Sequence, residues 1–421
     1  MVLMLKIRHA FSLFIHMTTL LKVLRSEILE FDTVLPPNPQ DYDNLQPPKE
    51  KGEATVVRFH VTVLSLDTID EGSMTYVADI FMSQSWKDYR LRLPENMTMK
   101  YRLLPISWLK RMWRPDSFFK NAKRVTFQEM TVPNHYIWLY SDKTILYMVK
   151  LTLLLSCSMK FEAYPHDTQI CMLKIESLSY TTDDLLFDWE QEVPLVVDED
   201  IELPQHNLVD TSLGDCTKVY STGNFTCIQV VFTLKRRLGY YMFHTYIPTC
   251  LIVIMSWISF WIKPEAVPAR VTLCVTSLLT LSTQHAQSQK SLPPVSYIKA
   301  IDIFMSSCTV FVFASLMEYA MVNILLGEGI DESLDEDGNR RTSIKKSSIG
   351  KSVAPSVIMV SSLQDGISPM PNGRPILSSS FYLRSRHRRR AILVDKCSRV
   401  IFPLSFIILN SAYWSVYLEV I

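Results

Sequence analysis

The sequence predicts an α+β membrane protein: an extracellular antiparallel β-sandwich followed by a four-helix transmembrane bundle. Two observations predict this. From Ala54 to Leu234 the chain shows short alternating apolar runs separated by turns, and after residue 241 come uncharged runs of membrane-spanning length. Charged residues are only 20% of the 421, and the apolar ones concentrate late in the chain. A net charge of +1 supplies no strong field toward nucleic acid or another charged partner.

Taken in order, residues 1–30 read as either an export signal or an atypical N-terminus. Lys6 and Arg8 precede an apolar run over 10–21, but His16 interrupts it and no small-residue cleavage site follows. Residues 31–241 form the expected extracellular sandwich, with a Pro-rich lead-in at Pro36, Pro37, Pro39, Pro47 and Pro48. Stretches 57–63, 137–140 and 228–232 alternate as half-buried strands do. Asn96-Met-Thr and Asn224-Phe-Thr are glycosylation sequons, a motif that is also common by chance.

Four cysteines, Cys157, Cys171, Cys216 and Cys227, fall in this part, an even number suited to an oxidising compartment. They allow three connectivities; nearest neighbours, Cys157 with Cys171 and Cys216 with Cys227, are preferred because each pair brackets a short hairpin-like segment. Cys250, Cys274, Cys308 and Cys397 lie in or beyond the apolar runs and are expected to stay reduced.

The spans are expected at 242–262, 271–289, 303–326 and 400–418, each near the roughly 20 residues a membrane helix needs. Only Glu318 is charged inside the third. Lys263 and Arg270 lie between the first two spans, and Arg388, Arg389, Arg390, Lys396 and Arg399 precede the fourth. Those loops belong on the cytoplasmic side, which puts both termini outside. Helices one to three thus occupy 242–326 and the fourth 397–421, separated by a cytoplasmic loop, 327–396. That loop is acidic, then rich in Ser, Pro and Gly, and is expected to be largely disordered, with the basic run 384–390 joining the fourth helix.

The second span carries the functional signal. Thr272, Thr276, Leu279, Thr283 and Lys290 stand at offsets 0, 4, 7, 11 and 18. At about 100° per residue they share one face within roughly 60°. Such hydroxyls can simply back-bond to their own helix, but a stripe of them on an otherwise apolar helix suits a water-filled pore. Leu279 would form an apolar ring that closes it by dewetting, and Lys290 a ring that concentrates anions. At the other end Pro268-Ala269-Arg270 offers no carboxylate to the narrowest part, and Glu265 lies outside the helix.

The stretch Cys157-Ser-Met-Lys-Phe-Glu-Ala-Tyr-Pro165-His-Asp167-Thr-Gln-Ile-Cys171 resembles the signature loop of the Cys-loop (pentameric ligand-gated) receptors. The likeness continues through Trp113-Arg-Pro-Asp-Ser-Phe-Phe-Lys-Asn121, Ile247-Pro248, Trp257-Ile-Ser-Phe-Trp261 and Pro268-Ala-Arg-Val-Thr272. Pro268-Ala269 is similar to the anion-selective branch, whose cation-selective cousins carry a glutamate at the position of Ala269. Residues 273–286 look most like invertebrate pH-sensitive chloride channels.

The resemblance implies a plasma-membrane, multi-pass subunit, postsynaptic or epithelial, in a pentamer of identical or related chains. Chloride would be the permeant ion and membrane lipid the surroundings, with no nucleic acid, cofactor, metal or catalysis. It also implies an agonist site between subunits. One face would offer Phe118, the Glu176–Tyr180 segment with Leu178 and Tyr180, and Tyr220, Thr222 and Phe225, the other Phe81, Ser83 and Met148. Each of these aromatics, taken singly, reads equally as sandwich core. Amino-acid-gated relatives carry an arginine at Ser83, often an aromatic at Leu178, and a small hydroxyl residue at Met148. Without these, carboxylate and ammonium recognition weakens.

Coupling would run through Pro165 and Asp167, with Arg236 as the acid's partner and the Pro293-Pro294 linker receiving the motion. The expected stimulus is a small extracellular agonist or protons. Candidate sensors are His60, His135, His166 and His206, or Tyr220 and Lys218 in an alkaline range. The alternatives are a histamine-gated chloride channel, since histamine has no carboxylate, and a non-conducting assembly subunit.

Overall fold

The computed structural model describes residues 31–36, 38, 41–67, 69–93, 99–290, 292–345 and 379–418, and side chains at all of these except 327–345, 379–387 and 418. The expected signal region and the Asn96 sequon lie outside the described residues. The chain divides into two compact units, the first reaching Met159 and resuming over Thr168–Lys235, the second comprising Lys160–Asp167 and Arg236–Ile421. The expected sandwich boundary at 241 is therefore too simple: the tip of the first cysteine loop belongs with the helices.

Among its described residues the first unit has fourteen strands. They are β1 (Thr55–Leu66), β2 (Thr75–Lys87), β3 (Tyr101–Leu104), β4 (Ser117–Phe119), β5 (Ala122–Phe127), β6 (His135–Tyr140) and β7 (Thr144–Ser156). There follow β8 (Thr168–Ser177), β9 (Leu185–Trp189), β10 (Leu195–Val197), β11 (His206–Asp215), β12 (Lys218–Tyr220), β13 (Gly223–Phe225) and β14 (Cys227–Arg236). An eight-stranded sheet runs β10-β1-β2-β7-β6-β3, with β5 on β7 and β9 on β1; a four-stranded sheet runs β11-β14-β8-β4; β12 and β13 form a separate hairpin. Pairing is antiparallel except that β9 and β10 run parallel to β1, because the chain crosses from β8 in one sheet to those strands in the other.

The period-2 pattern explains the core. Val57, Phe59, Val61 and Val63 are wholly buried from one sheet, and Leu173, Ile175, Val230 and Phe232 from the other, while Val56 and Arg58 between them stay exposed. Trp113 is also wholly buried, edge-on to Trp86 at 5.9 Å. Of the three connectivities the structure has Cys157–Cys171 and Cys216–Cys227. Cys250, Cys274, Cys308 and Cys397 are free.

Among its described residues the second unit contains four helices: α1 (Gly239–Trp261), α2 (Val267–Gln289), α3 (Ala300–Lys345) and α4 (Ser379–Leu418). Among the described residues, α1 and the Ala300–Leu326 part of α3 are each long and apolar enough to cross a membrane by length and composition. A π-helical turn, Met242–Tyr246, opens α1 ahead of Pro248. Proline has no N–H for the carbonyl one turn back, that of His244, and Gln284 of α2 donates to it at 3.3 Å instead. The helices α3 and α4 run further than expected into 327–396, to Lys345 and from Ser379. Glu, Leu and Arg are good helix formers and extend an existing helix without a new nucleation step.

Candidate functional site

In the first unit, β8 places Glu176 opposite Phe118 of β4 on one side and Cys227 of β14 on the other. Lys120, one residue past β4, forms an ion pair with Glu176 and donates to the Tyr220 hydroxyl at 2.6 Å. The Tyr220 hydroxyl donates in turn to Glu176 Oε1 at 3.0 Å. The Lys120 ammonium lies 5.2 Å from the centre of the Tyr220 ring, and Phe225 meets that ring edge-on at 5.7 Å. Burial works against the Lys120 charge, but the bonds to Glu176 and Tyr220 outweigh it and hold the amine above the usual lysine range.

Of the expected residues on this face, Tyr220 and Phe225 therefore come together, and Phe118 lies beside them through its pairing with Glu176. Thr222 is exposed in the hairpin turn, beside Gly223 at φ +138°, where an added Cβ would stand 2.9 Å from Thr181 Cγ2. Leu178 is exposed, on the rim of a cavity of about 520 Å³ that Phe118 also lines. Tyr180 is used in packing instead: its hydroxyl accepts from Trp113 Nε1 at 3.3 Å and donates to the Leu45 carbonyl at 2.7 Å. Asp116 holds the turn between Leu178 and Tyr180, accepting from Ser177 Oγ at 2.8 Å and from the Ser179 amide at 2.5 Å. Asn224, of the second sequon, is exposed on β13.

Phe81, Ser83 and Met148 lie on the other sheet. Ser83 of β2 pairs with Met148 of β7 and with His60 of β1, and Phe81 pairs with Lys150, whose ammonium lies 5.9 Å from the phenyl ring centre. Ser83 is buried, and the Tyr136 hydroxyl donates to Met148 Sδ at 3.2 Å. His60 is spanned between the Val193 carbonyl at 2.5 Å and Thr62 Oγ1 at 3.0 Å.

In the second unit, Asp167 and Arg236 are both buried and meet fork to fork, at 2.7 Å from Nε and 3.2 Å from NH2. The guanidinium also lies 4.8 Å from the centre of the Tyr164 ring. His166 is buried in an aromatic box, stacked on Tyr417 at 5.7 Å and edge-on to Trp414 at 5.2 Å. Its Nε2 bonds to the Tyr246 hydroxyl at 3.1 Å, and its Nδ1 has no hydrogen-bond partner among the described residues. Burial holds this imidazole below its usual range, against the pull of the Asp167 charge. Among the described residues, the loop tip is hydrogen-bonded to Tyr297 of the α2–α3 connection and to Ala300 and Ile301 at the start of α3, at 3.0 Å each, rather than to Pro293 and Pro294. Prolines have no N–H to give; the amides of Ala300 and Ile301 do.

On α2, Pro268, Ala269, Thr272, Thr276, Leu279 and Thr283 are all exposed, as is Lys290 just past its end, while Arg270, Cys274, Ser277 and Leu281 are buried on the opposite side. The threonines also back-bond: Thr272 Oγ1 donates to the Pro268 carbonyl and Thr276 Oγ1 to the Thr272 carbonyl, each at 2.7 Å. Back-bonding leaves the stripe exposed, since a back-bonded hydroxyl still has a lone pair to present outward. Arg270 is not a free flanking charge. It is fully buried, 2.6 Å from Asp395 of α4 and 3.8 Å from Glu318 of α3. Glu265 lies 3.0 Å from Arg388.

The neurotransmitter-gated ion-channel ligand binding domain matches residues 34–238, and the neurotransmitter-gated ion-channel transmembrane region matches residues 245–342. The chain belongs to the neurotransmitter-gated ion-channel family. It is a channel subunit of the Cys-loop superfamily and a membrane protein, and the members of this family are channels rather than enzymes and assemble as pentamers. In this channel the ligand-binding match includes Lys120, Glu176 and Tyr220, and the transmembrane match contains the whole of α2. Lys120 was missed from the sequence although it stands inside the Trp113–Asn121 motif. A cation closing an aromatic strand, with an acid opening the later Glu176-Ser-Leu-Ser-Tyr180 segment, was the available signal.

Proposed function

We propose that this subunit builds a multi-pass plasma-membrane channel that passes chloride and is gated or modulated by extracellular pH, with both termini outside. One observation carries the ion choice: the exposed face of α2 runs from Pro268-Ala269 through hydroxyls to Lys290 and bears no carboxylate. The pairing of nearby Glu265 with Arg388 supports it, because that carboxylate is partly neutralised. In a pentamer the face with Phe118, Leu178, Tyr220, Thr222 and Phe225 would meet the neighbour's face with Phe81, Ser83 and Met148. Tyr180 would support the first from behind. Ser83, buried beside Met148, has no guanidinium to offer a carboxylate, which argues against amino-acid agonists. Leu279 closes the pore, and Asp167 and Arg236 carry the signal from loop to helices.

The experiment is a recording from cells expressing this chain alone, with chloride and sodium varied in turn and external pH stepped from about 5.5 to 9.5, a window spanning the histidine and approaching the tyrosine reference values. The reversal potential should follow chloride. Deleting Pro268 together with Ala269→Glu should move it toward cations. A wild-type reversal potential that follows sodium, or opening by glycine, glutamate or gamma-aminobutyric acid at constant pH, refutes this reading.

A further inference from the structure

The Lys120 cluster has the parts of an ammonium-binding site with the ammonium already in it. A cation held from water is stabilised by a carboxylate and a second hydrogen-bond acceptor. Glu176 supplies the first with its side chain only 6% exposed, and the Tyr220 hydroxyl supplies the second at 2.6 Å, with the ammonium at the hydroxyl end of the ring. Both are engaged by Lys120. The lysine is fixed at its root as well: its amide donates to the Lys174 carbonyl at 3.0 Å. The next residue, Asn121, bridges to the Met172 carbonyl at 2.6 Å and the Ser156 carbonyl at 3.0 Å. The remaining charges on these elements are Lys174, two positions before Glu176 on β8, and Lys218 on β12, both cationic. Glu176 is thus the carboxylate that balances Lys120.

We propose that Lys120 is the receptor's own ammonium: it occupies the cation subsite of the ligand face and thereby excludes free amines, histamine included, from wild-type receptors. The inference rests on the reading of this face as the ligand site, and makes Lys120 the residue that sets ligand class there. A free amine must displace a group tethered to the same chain, and tethering keeps its competitor at a high effective concentration at all times. Replacing that side chain with a short apolar one vacates a preformed site in which the carboxylate and the phenol hydroxyl remain. Arginine in its place keeps the charge and the occupancy.

Ethylammonium, the end of a lysine side chain cut free, is the probe. Homomers of wild type, Lys120→Ala and Lys120→Arg are recorded with it at fixed pH, and the thermal midpoints of the same purified proteins are measured with and without it. Lys120→Ala should respond to ethylammonium at a concentration at least about tenfold below any effect on wild type or Lys120→Arg, a difference of roughly 1.4 kcal/mol in binding. Its thermal midpoint alone should rise. If Lys120→Ala fails to reach the surface, Lys120→Cys treated with a 2-aminoethyl thiosulfonate should lose ethylammonium sensitivity, while a 2-sulfonatoethyl reagent should not restore the wild-type behaviour. Equal responses in wild type and Lys120→Ala overturn the inference, as does wild-type opening by ethylammonium. A wild type that binds no amine yet carries sodium overturns the proposed function and leaves the thermal comparison to decide Lys120 by itself.

Discussion

Asp167 grips Arg236 through two parallel hydrogen bonds, 2.7 and 3.2 Å long, and the two side chains are 3% and 0% exposed. A buried pair of this kind contributes little relative to apolar replacements, but breaking it strands a charge at a cost of about 3–5 kcal/mol. Asp167→Asn should therefore destabilise the folded subunit by that order, seen as a lower thermal midpoint and less protein at the surface. Asp167→Asn combined with Arg236→Gln should cost less than the sum of the two single changes. Additive losses would mean that the pair is not coupled.

His166 predicts a pH dependence of stability. Its imidazole is held below the usual range by burial, so between that lowered value and the unfolded reference near 6.5 the unfolded chain binds more protons than the folded one. Stability from this group is complete above about pH 6.5 and is lost as pH falls toward the folded value. The thermal midpoint of wild type should drop on acidification through that window, and the drop should shrink in His166→Phe, which keeps an aromatic ring in the box. An unchanged slope in the variant would remove His166 from the account.

Leu279 is 64% exposed on α2, on the same side as Thr272 and Thr276. Leu279→Ser should wet the closed pore and give standing current, or move the half-effective stimulus by about tenfold toward easier opening. A variant with wild-type leak and wild-type sensitivity would place Leu279 off the pore axis.

Arg270 ties three helices together through Asp395 and Glu318. Asp395→Asn removes the closest counter-charge of a fully buried guanidinium and should cost about 3–5 kcal/mol, read as loss of surface expression or of thermal stability. Ion selectivity should stay that of the wild type, because Arg270 faces away from the exposed stripe of α2. A change in reversal potential without a loss of stability would contradict this placement.

What the sequence by itself determined is whatever repeats at short range. Alternation along 57–63 and 228–232 places Val61 and Val230 in the core, and the spacing from Thr272 to Lys290 puts those residues on one side of α2. The backbone fixes both periods, so no tertiary information is needed. Four cysteines allow three pairings, and their spacing favoured the nearest-neighbour one that the folded chain has. Only the tertiary structure decided the partners of the charges. Lys120 meets residues 56 and 100 positions away, Arg270 meets Asp395 at a separation of 125, and Tyr180 is drawn to Leu45 across 135. No local pattern encodes such meetings. A lysine after β4 or an arginine opening α2 looks like a solvated charge until sheet pairing and helix packing bring an acid to it and exclude the water.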